Sequence, residues 1–246
     1  GSGQTSCPHP ASAMRSAAPA RPAADAEAAL VAAILDGRFP PGSALPAERG
    51  LATQLGVTRP TLREVLQRLA RDGWITIQHG KPTRVNDYWR EGGLNVLSAL
   101  VRTAGRVPRE LVPWLLEVRV TLGPTYTRAA VARAGAEVAA LLEAHAALAD
   151  TPEAFAAFDW RLHRCLTAAS GNPIYALILN GFAGFYESMA RRYFAAPAAR
   201  ALSLAFYAEL LGAARRGDGA EAERVAREVL RQSIPLWSAA AREDGP

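Results

Sequence analysis

Arg59, Thr61 and Arg63 stand at the head of one short segment, and their types and spacing suit chemistry on a nucleic acid. Arginine presents a planar fork of donors that matches a guanine edge or a phosphate, and threonine can meet a phosphate oxygen or a thymine methyl. Thr58 just before them is a good helix N-cap. The three therefore fall in the first turns of a helix in which Leu62, Val65, Leu66 and Leu69 recur at helical spacing. A cation in a first turn opposes the helix dipole, so Arg59 needs a reason other than helix stability. Arg68 and Arg71, near the carboxyl end, complement the dipole instead.

A second basic feature follows. The stretch Trp74 to Val85, WITIQHGKPTRV, holds Lys81, the only lysine among 28 Lys and Arg residues. Ile75 and Ile77 alternate with Thr76 and Gln78, Gly80 permits a reversal, and Thr83 and Val85 suit a returning strand. The pattern predicts a small hairpin with a basic tip, too short to stand without a helical neighbour.

The elements that position these groups read in order. Asp25 caps a helix with Leu30, Val31, Ile34 and Leu35 on one face, ending at Gly37; Phe39-Pro40-Pro41-Gly42 forces a turn. A second helix runs from Ala47 to Gly56-Val57, and Gly73 closes the third before the hairpin. Helix, turn, helix, hairpin is the order of a winged helix-turn-helix, expected over residues 25–88, whose presented helix points its amino end into a major groove. Residues 1–24, GSG followed by a Ser-, Pro- and Ala-rich run, are expected to be an expression scar and disordered leader, with Met14 a candidate native start.

Beyond Tyr88 the chain turns Ala- and Leu-rich, punctuated by Pro108, Gly135, Pro152, Gly171-Asn172-Pro173, Pro197 and Gly217. This predicts a connecting helix near Leu94–Arg102 within a linker at 89–104, then an all-helical domain over 105–246 with six or seven helices and no strand. The fold class is mainly α, with a small β-hairpin wing.

Composition is consistent with these elements. With 246 residues, 50% hydrophobic and 21% charged, the chain can hold one or two globular domains. The formal net charge is +5, and residues 36–90 alone carry nine Lys and Arg against five Asp and Glu. The longest apolar run, Ala28 to Leu35, is too short to cross a bilayer, so a cytoplasmic protein with no membrane partner is expected. Cys7 and Cys165 make neither a disulfide framework nor a zinc site, which fits a reducing compartment. Ser170 lacks a G-x-S-x-G context, and Cys165 near His163 lacks an orienting third group, so no catalytic residue and no enzyme activity are expected.

From Arg38 to Val85, RFPPGSALPAERGLATQLGVTRPTLREVLQRLARDGWITIQHGKPTRV, the chain resembles the amino-terminal domain of the GntR family of transcriptional regulators. The likeness, narrowly to the FadR subfamily, continues through Ala169-Ser170-Gly171-Asn172-Pro173-Ile174-Tyr175, Leu177-Ile178-Leu179-Asn180-Gly181 and Arg192-Tyr193-Phe194. It implies a homodimer on a pseudo-palindromic double-stranded operator, released by long-chain acyl-coenzyme A, repressing fatty-acid degradation genes and activating some synthesis genes. It implies DNA contacts at Arg49, Arg59, Thr61 and Arg63, and a wing tip of His79, Gly80 and Lys81 in the minor groove. Pro60 stands where the subfamily has a further threonine. For the effector it points to Arg119, Tyr193, Ser233 and Trp237, with Val229-Leu230 replacing a Tyr-Gly pair that lines the subfamily's pocket. Many relatives with this type of helical domain hold a metal. Asp159 and His163, spaced i and i+4, match the start of that site, but the remaining histidines are His9, His79 and His145, so no metal or other cofactor is expected. A regulator of the same architecture sensing another small organic acid is the alternative, and an acyl-coenzyme A-processing enzyme a distant one.

Overall fold

The computed structural model describes residues 21–103 and 110–242; the expected leader up to residue 20 and the break at Pro108 lie outside the described residues. The chain divides into two compact units, residues 1–92 and 93–246.

The first unit opens with α1 (Arg21–Leu35), α2 (Glu48–Leu55) and α3 (Arg59–Asp72). α1 begins four residues before the predicted cap, so Asp25 lies inside the helix, and residues 21–24 belong to it and not to a disordered leader. Leu30 and Ile34 on α1 are buried together with Leu51 on α2 and Leu62, Val65, Leu66 and Leu69 on α3. Each such side chain, fully buried, contributes about 1.5–3 kcal/mol. Thr58 caps α3 as expected, its side chain accepting from the Thr61 amide, and Pro60 is accommodated in the first turn, where no intrahelical donor is needed. Arg68 departs from the expected dipole role: its guanidinium lies 3.4 Å from Glu27 and so ties α3 to α1.

The hairpin pairs β1 (Ile75–Thr76) with β2 (Arg84–Val85), antiparallel, Ile75 opposite Val85. It leans on more than a helix. Residues 42–45 run along the far side of β2, with Gly42 N donating to Val85 O, Val85 N to Ser43 O and Leu45 N to Thr83 O, each at 2.8 Å. Buried Asn86 fastens the base: its Nδ2 donates to Gly73 O at 3.1 Å and its Oδ1 accepts from Thr76 at 2.7 Å. A short helix, α4 (Tyr88–Glu91), closes the unit, with Arg84 gripping Glu91 through two nitrogens at 2.9 and 3.3 Å.

The second unit is helical among its described residues: α5 (Leu94–Arg102), α6 (Leu111–Leu142), a 3-10 turn (Glu143–Ala147), α7 (Pro152–Ala169), α8 (Pro173–Asn180), α9 (Ala183–Ala195), α10 (Pro197–Arg216) and α11 (Gly219–Arg242). α5 spans the predicted connecting helix and packs on α9. The expected punctuation at Gly135 falls beside a break: within Leu111–Leu142 the backbone leaves helical geometry at Ala134 (φ −143°, ψ 43°), so α6 is two helical stretches joined by a kink. Gly135 is needed for closeness, since a Cβ there would sit 2.6 Å from Ala214 O at the end of α10. Among the described residues no single helix is long and apolar enough to cross a membrane. A bent pair, Met189–Ala195 with Pro197–Arg216, has the length, but its segments diverge by 101° and bury Met189, Tyr193, Phe206 and Leu210 in the bundle core.

Gly73 yields a test of this arrangement. It caps α3 at φ +97°, and a Cβ on it would meet Glu91 O at 2.7 Å and the Gly92 Cα at 2.9 Å, both backbone. Gly73→Ala is expected to destabilise the first unit by at least ~2 kcal/mol, and Gly42→Ala (φ +85°, open space around it) by only about 1 kcal/mol, read by denaturant unfolding. Equal costs would mean that the close approach of α4 to Gly73 contributes nothing.

Candidate functional site

On the first unit, Arg59 occupies the first turn of α3 and is exposed, as are Arg49 on α2 and Lys81 on the hairpin tip. Among the described residues no acidic group pairs with any of these three. Arg63 differs, because its Nε lies 2.9 Å from Glu48 Oε2 and the pair bridges the starts of α2 and α3. Thr61 is half-buried, its hydroxyl 2.8 Å from that of Thr58. At the tip, Gln78 O accepts from Lys81 N at 3.3 Å, and Gly80 takes φ +71° with open space where a Cβ would project. No other residue of the turn has a positive φ, so the turn is of type II, in which the third position demands glycine. His79, Gly80 and Lys81 are all exposed. The arrangement offers uncompensated cations on a helix start and on a bare turn, which suits a polyanion.

Two cavities stand out among the described residues of the second unit. The larger, about 910 Å³ counting its open mouth, is lined by side chains such as Leu115, Leu122, Ile178, Leu179, Phe182 and Met189 from α6, α8 and the α9 region. The smaller, about 440 Å³, lies among α6, α7, α9, α10 and α11. All four residues expected at the effector site, Arg119, Tyr193, Ser233 and Trp237, line the smaller one, and Arg119 and Trp237 also line the larger. Trp237 stacks on Tyr193 (centroids 4.4 Å apart, planes 12°), and the Arg119 guanidinium lies 5.8 Å from the Trp237 ring, within cation–π range. Ser233 turns its hydroxyl inward, donating to Leu230 O at 2.7 Å. Leu230 reaches into a notch on α6: a Cβ on Gly123 would lie 2.6 Å from its Cδ1.

Between the cavities runs a polar cluster. Asp159 accepts from the Tyr207 hydroxyl at 3.0 Å and from the Tyr186 hydroxyl, and faces Arg119 Nη2 at 3.5 Å. Arg119 Nη2 also contacts His163 Nε2 at 2.9 Å, and His163 Nδ1 contacts the Tyr126 hydroxyl at 2.9 Å. Asp159 and His163 share a helix face as their spacing predicts, yet the charge set against both is the guanidinium of Arg119. That cation opposes the approach of a metal. The tyrosines come from α6, α9 and α10, and no local sequence signal joins them to α7: Tyr186 and Tyr207 reach it through Asp159, and Tyr126 through His163. Burial pushes the Tyr126 hydroxyl up to about 12, and pushes Tyr186 and Tyr207 well above their usual range with Asp159 adding to it.

Burial pushes His163 down to about 4, against the pull of Asp159 and with the help of Arg119. The ring is therefore neutral at pH 7. An unfolded histidine titrates near 6.5, so the unfolded chain binds more protons as pH falls from about 6.5 to 4, and the second unit is expected to lose about 3 kcal/mol across that window. Unfolding of wild type and His163→Gln at pH 7 and pH 4.5 checks this, with a shallower loss expected in the variant; identical losses would mean that His163 does not titrate on unfolding.

With the geometry in place, similarity to known proteins adds the family. Residues 22–85 match the description "Bacterial regulatory proteins, gntR family", and residues 86–244 match "FadR C-terminal domain". The chain is 45% identical over 216 residues to the fatty acid metabolism regulator protein of Klebsiella pneumoniae subsp. pneumoniae, covering 88% of this chain and 90% of that one. It is 50% identical over 199 residues to the protein of the same name from Edwardsiella ictaluri, covering 80% and 83%. The solved structure of Lar, which controls the expression of the Listeria monocytogenes agr system, shares the fold with a TM-score of 0.54 at 17% identity, covering 91% of this chain and 97% of that one. A cationic helix-turn-helix with its wing, a helical bundle around cavities, and identity across both units lead to one assignment: the chain belongs to the gntR family of bacterial regulatory proteins, in the branch that carries the FadR C-terminal domain.

Proposed function

We propose that this protein regulates genes of fatty-acid metabolism, binding a pseudo-palindromic operator as a homodimer and leaving it when a long-chain acyl-coenzyme A enters the second unit. The observation that carries the effector half is the larger cavity, whose wall is almost wholly apolar. Such a wall rewards hydrocarbon and offers little to a small charged acid, because the Arg119 cation beside it already faces Asp159. Relatives at 45% and 50% identity carry the name fatty acid metabolism regulator, which supports the same reading. The DNA half rests on Arg49, Arg59, Thr61 and Arg63 for the major groove and phosphates, and on His79, Gly80 and Lys81 for the minor groove. Two-fold symmetry of a dimer accounts for a pseudo-palindromic site.

An acyl-coenzyme A-processing enzyme is disfavoured by the state of the candidate nucleophiles. Burial pushes the Cys165 thiol up, away from the reactive thiolate. Ser170 donates its hydroxyl to Thr167 O at 2.7 Å, a capping arrangement, and among the described residues no base pairs with it.

Binding assays separate the roles on the DNA side. Arg59→Ala is expected to cost about 1–3 kcal/mol on operator and much less on random duplex. Equal losses would make Arg59 a phosphate contact. Lys81→Ala is expected to reduce the slope of log affinity against log salt by roughly one; an unchanged slope would take Lys81 out of the interface. On the effector side, each buried methylene contributes about 0.8 kcal/mol, so lengthening the chain from eight to sixteen carbons adds at most roughly 6 kcal/mol. Calorimetry over that series is expected to show affinity climbing with length. A plateau at medium chains would mean a short channel, and no binding at any length would favour a different organic acid as effector.

A further inference from the structure

Lys81 carries the only side-chain amine in the chain; every other basic residue is arginine or histidine. The difference is chemical as well as electrostatic. A guanidinium keeps its proton and offers no free lone pair, whereas an ammonium that gives its proton to solvent becomes a nucleophile. The ion pairs of both units, among them Arg68–Glu27, Arg84–Glu91 and Arg128–Glu223, are therefore closed to acyl donors. A donor that meets this chain finds one side-chain amine, and it lies on the hairpin tip.

The tip leaves that amine free to react. Lys81 is exposed, and among the described residues no acidic group pairs with it. Its backbone closes the turn, Lys81 N donating to Gln78 O at 3.3 Å, so the side chain is not needed for the fold. Gly80 beside it has open space where a Cβ would project, and nothing there crowds the approach of a bulky donor. The hairpin is fastened elsewhere, by Asn86 at its base and by residues 42–45 along β2. Converting the ammonium to an amide thus removes one charge and leaves these bonds intact.

We propose that Lys81 is a site of Nζ acylation by a short-chain acyl thioester, and that acylation loosens the wing from DNA whatever the second unit holds. In the step, the neutral Nζ attacks the thioester carbonyl carbon. The C–N bond forms as the C–S bond breaks, and the thiol leaves with the proton that the nitrogen sheds. An amide and a free thiol are the products, and nothing is oxidised or reduced. A short acyl group is specified because the open turn offers no apolar wall to reward a long one. The loosening rests on the DNA reading above; the modification itself does not.

The test treats the full chain with acetyl-coenzyme A, removes the donor, and reads peptide mass spectra together with affinity for a duplex that the protein selects from random sequence. Lys81 is expected to carry the acetyl group, and the affinity of the acetylated chain to fall about tenfold near 0.1 M salt, the worth of one phosphate contact. Lys81→Arg, compared with and without treatment, should change by no more than about twofold, since its guanidinium does not react. A loss there would move the effect to the N-terminal amine and overturn the proposal. Saturating duplex, added first, is expected to slow acetylation of Lys81 at least tenfold. Lys81 left unmodified, under conditions that acetylate a free peptide of the wing sequence, overturns the site. Acetylation with unchanged affinity overturns the loosening: if duplex also fails to protect Lys81, its place at the DNA falls too, whereas protection leaves that reading standing. Labelling by acetyl phosphate but not by acetyl-coenzyme A overturns the thioester as donor.

Discussion

A buried carboxylate at the centre of the second unit constrains most of what surrounds it. Asp159 on α7 is 5% exposed, and a charge so placed is tolerated only with a cation and donors around it. Arg119 from α6, Tyr186 from α9 and Tyr207 from α10 meet that demand, so four helices are held in one register by a single side chain. Removing one member of a buried ion pair commonly costs about 3–5 kcal/mol, because the other is left uncompensated. The same Arg119 nitrogen meets His163 Nε2 at 2.9 Å, and His163 Nδ1 meets the Tyr126 hydroxyl at 2.9 Å, so the network extends from the carboxylate to the cavity wall.

The first unit follows a different logic, with exposed groups held by a rigid base. Arg59 gains nothing from its helix, and Gly80 gains nothing from packing, since a side chain there would meet empty space. What supports them is apolar burial on the opposite face of α3 and a hairpin laced to residues 42–45 and to Asn86. Glu48 adds a refinement. By pairing with Arg63 across the starts of α2 and α3, it keeps one guanidinium extended without cancelling its neighbours Arg49 and Arg59.

Much of the first unit could be read from the sequence because its signals are local. Thr58, Gly73 and the alternation around Ile75 act within a few residues of themselves, and the structure puts a cap, a left-handed stop and a strand there. The start of α1 escaped because Asp25 looks like a cap, while the residues before it are too Ala- and Pro-rich to signal a helix. In the second unit the helix at Leu94–Arg102 and the break beside Gly135 were legible, but the cause of the break was not, since Gly135 meets α10 across nearly eighty residues of chain. Asp159 and His163 could be paired by spacing. Their partners Arg119, Tyr126, Tyr186 and Tyr207 are scattered over three other helices, and only packing assembles them. The larger cavity left no signal at all, because apolar residues that line a space and those that fill one look alike in a sequence.

As proposed above, one molecule couples operator binding to an acyl-coenzyme A held among the helices of its second unit. Coupling between two binding sites is reciprocal: whatever factor the effector costs the DNA, the DNA must cost the effector. A hundredfold effect corresponds to about 2.7 kcal/mol, well below what burying a long chain can supply. The direct measurement is the affinity of the full chain for palmitoyl-coenzyme A, taken free and again saturated with a duplex that the protein itself selects from random sequence. Reciprocal coupling makes this affinity at least tenfold weaker on DNA, with the same factor recovered when operator affinity is measured with and without the effector. An affinity unchanged by DNA would contradict it.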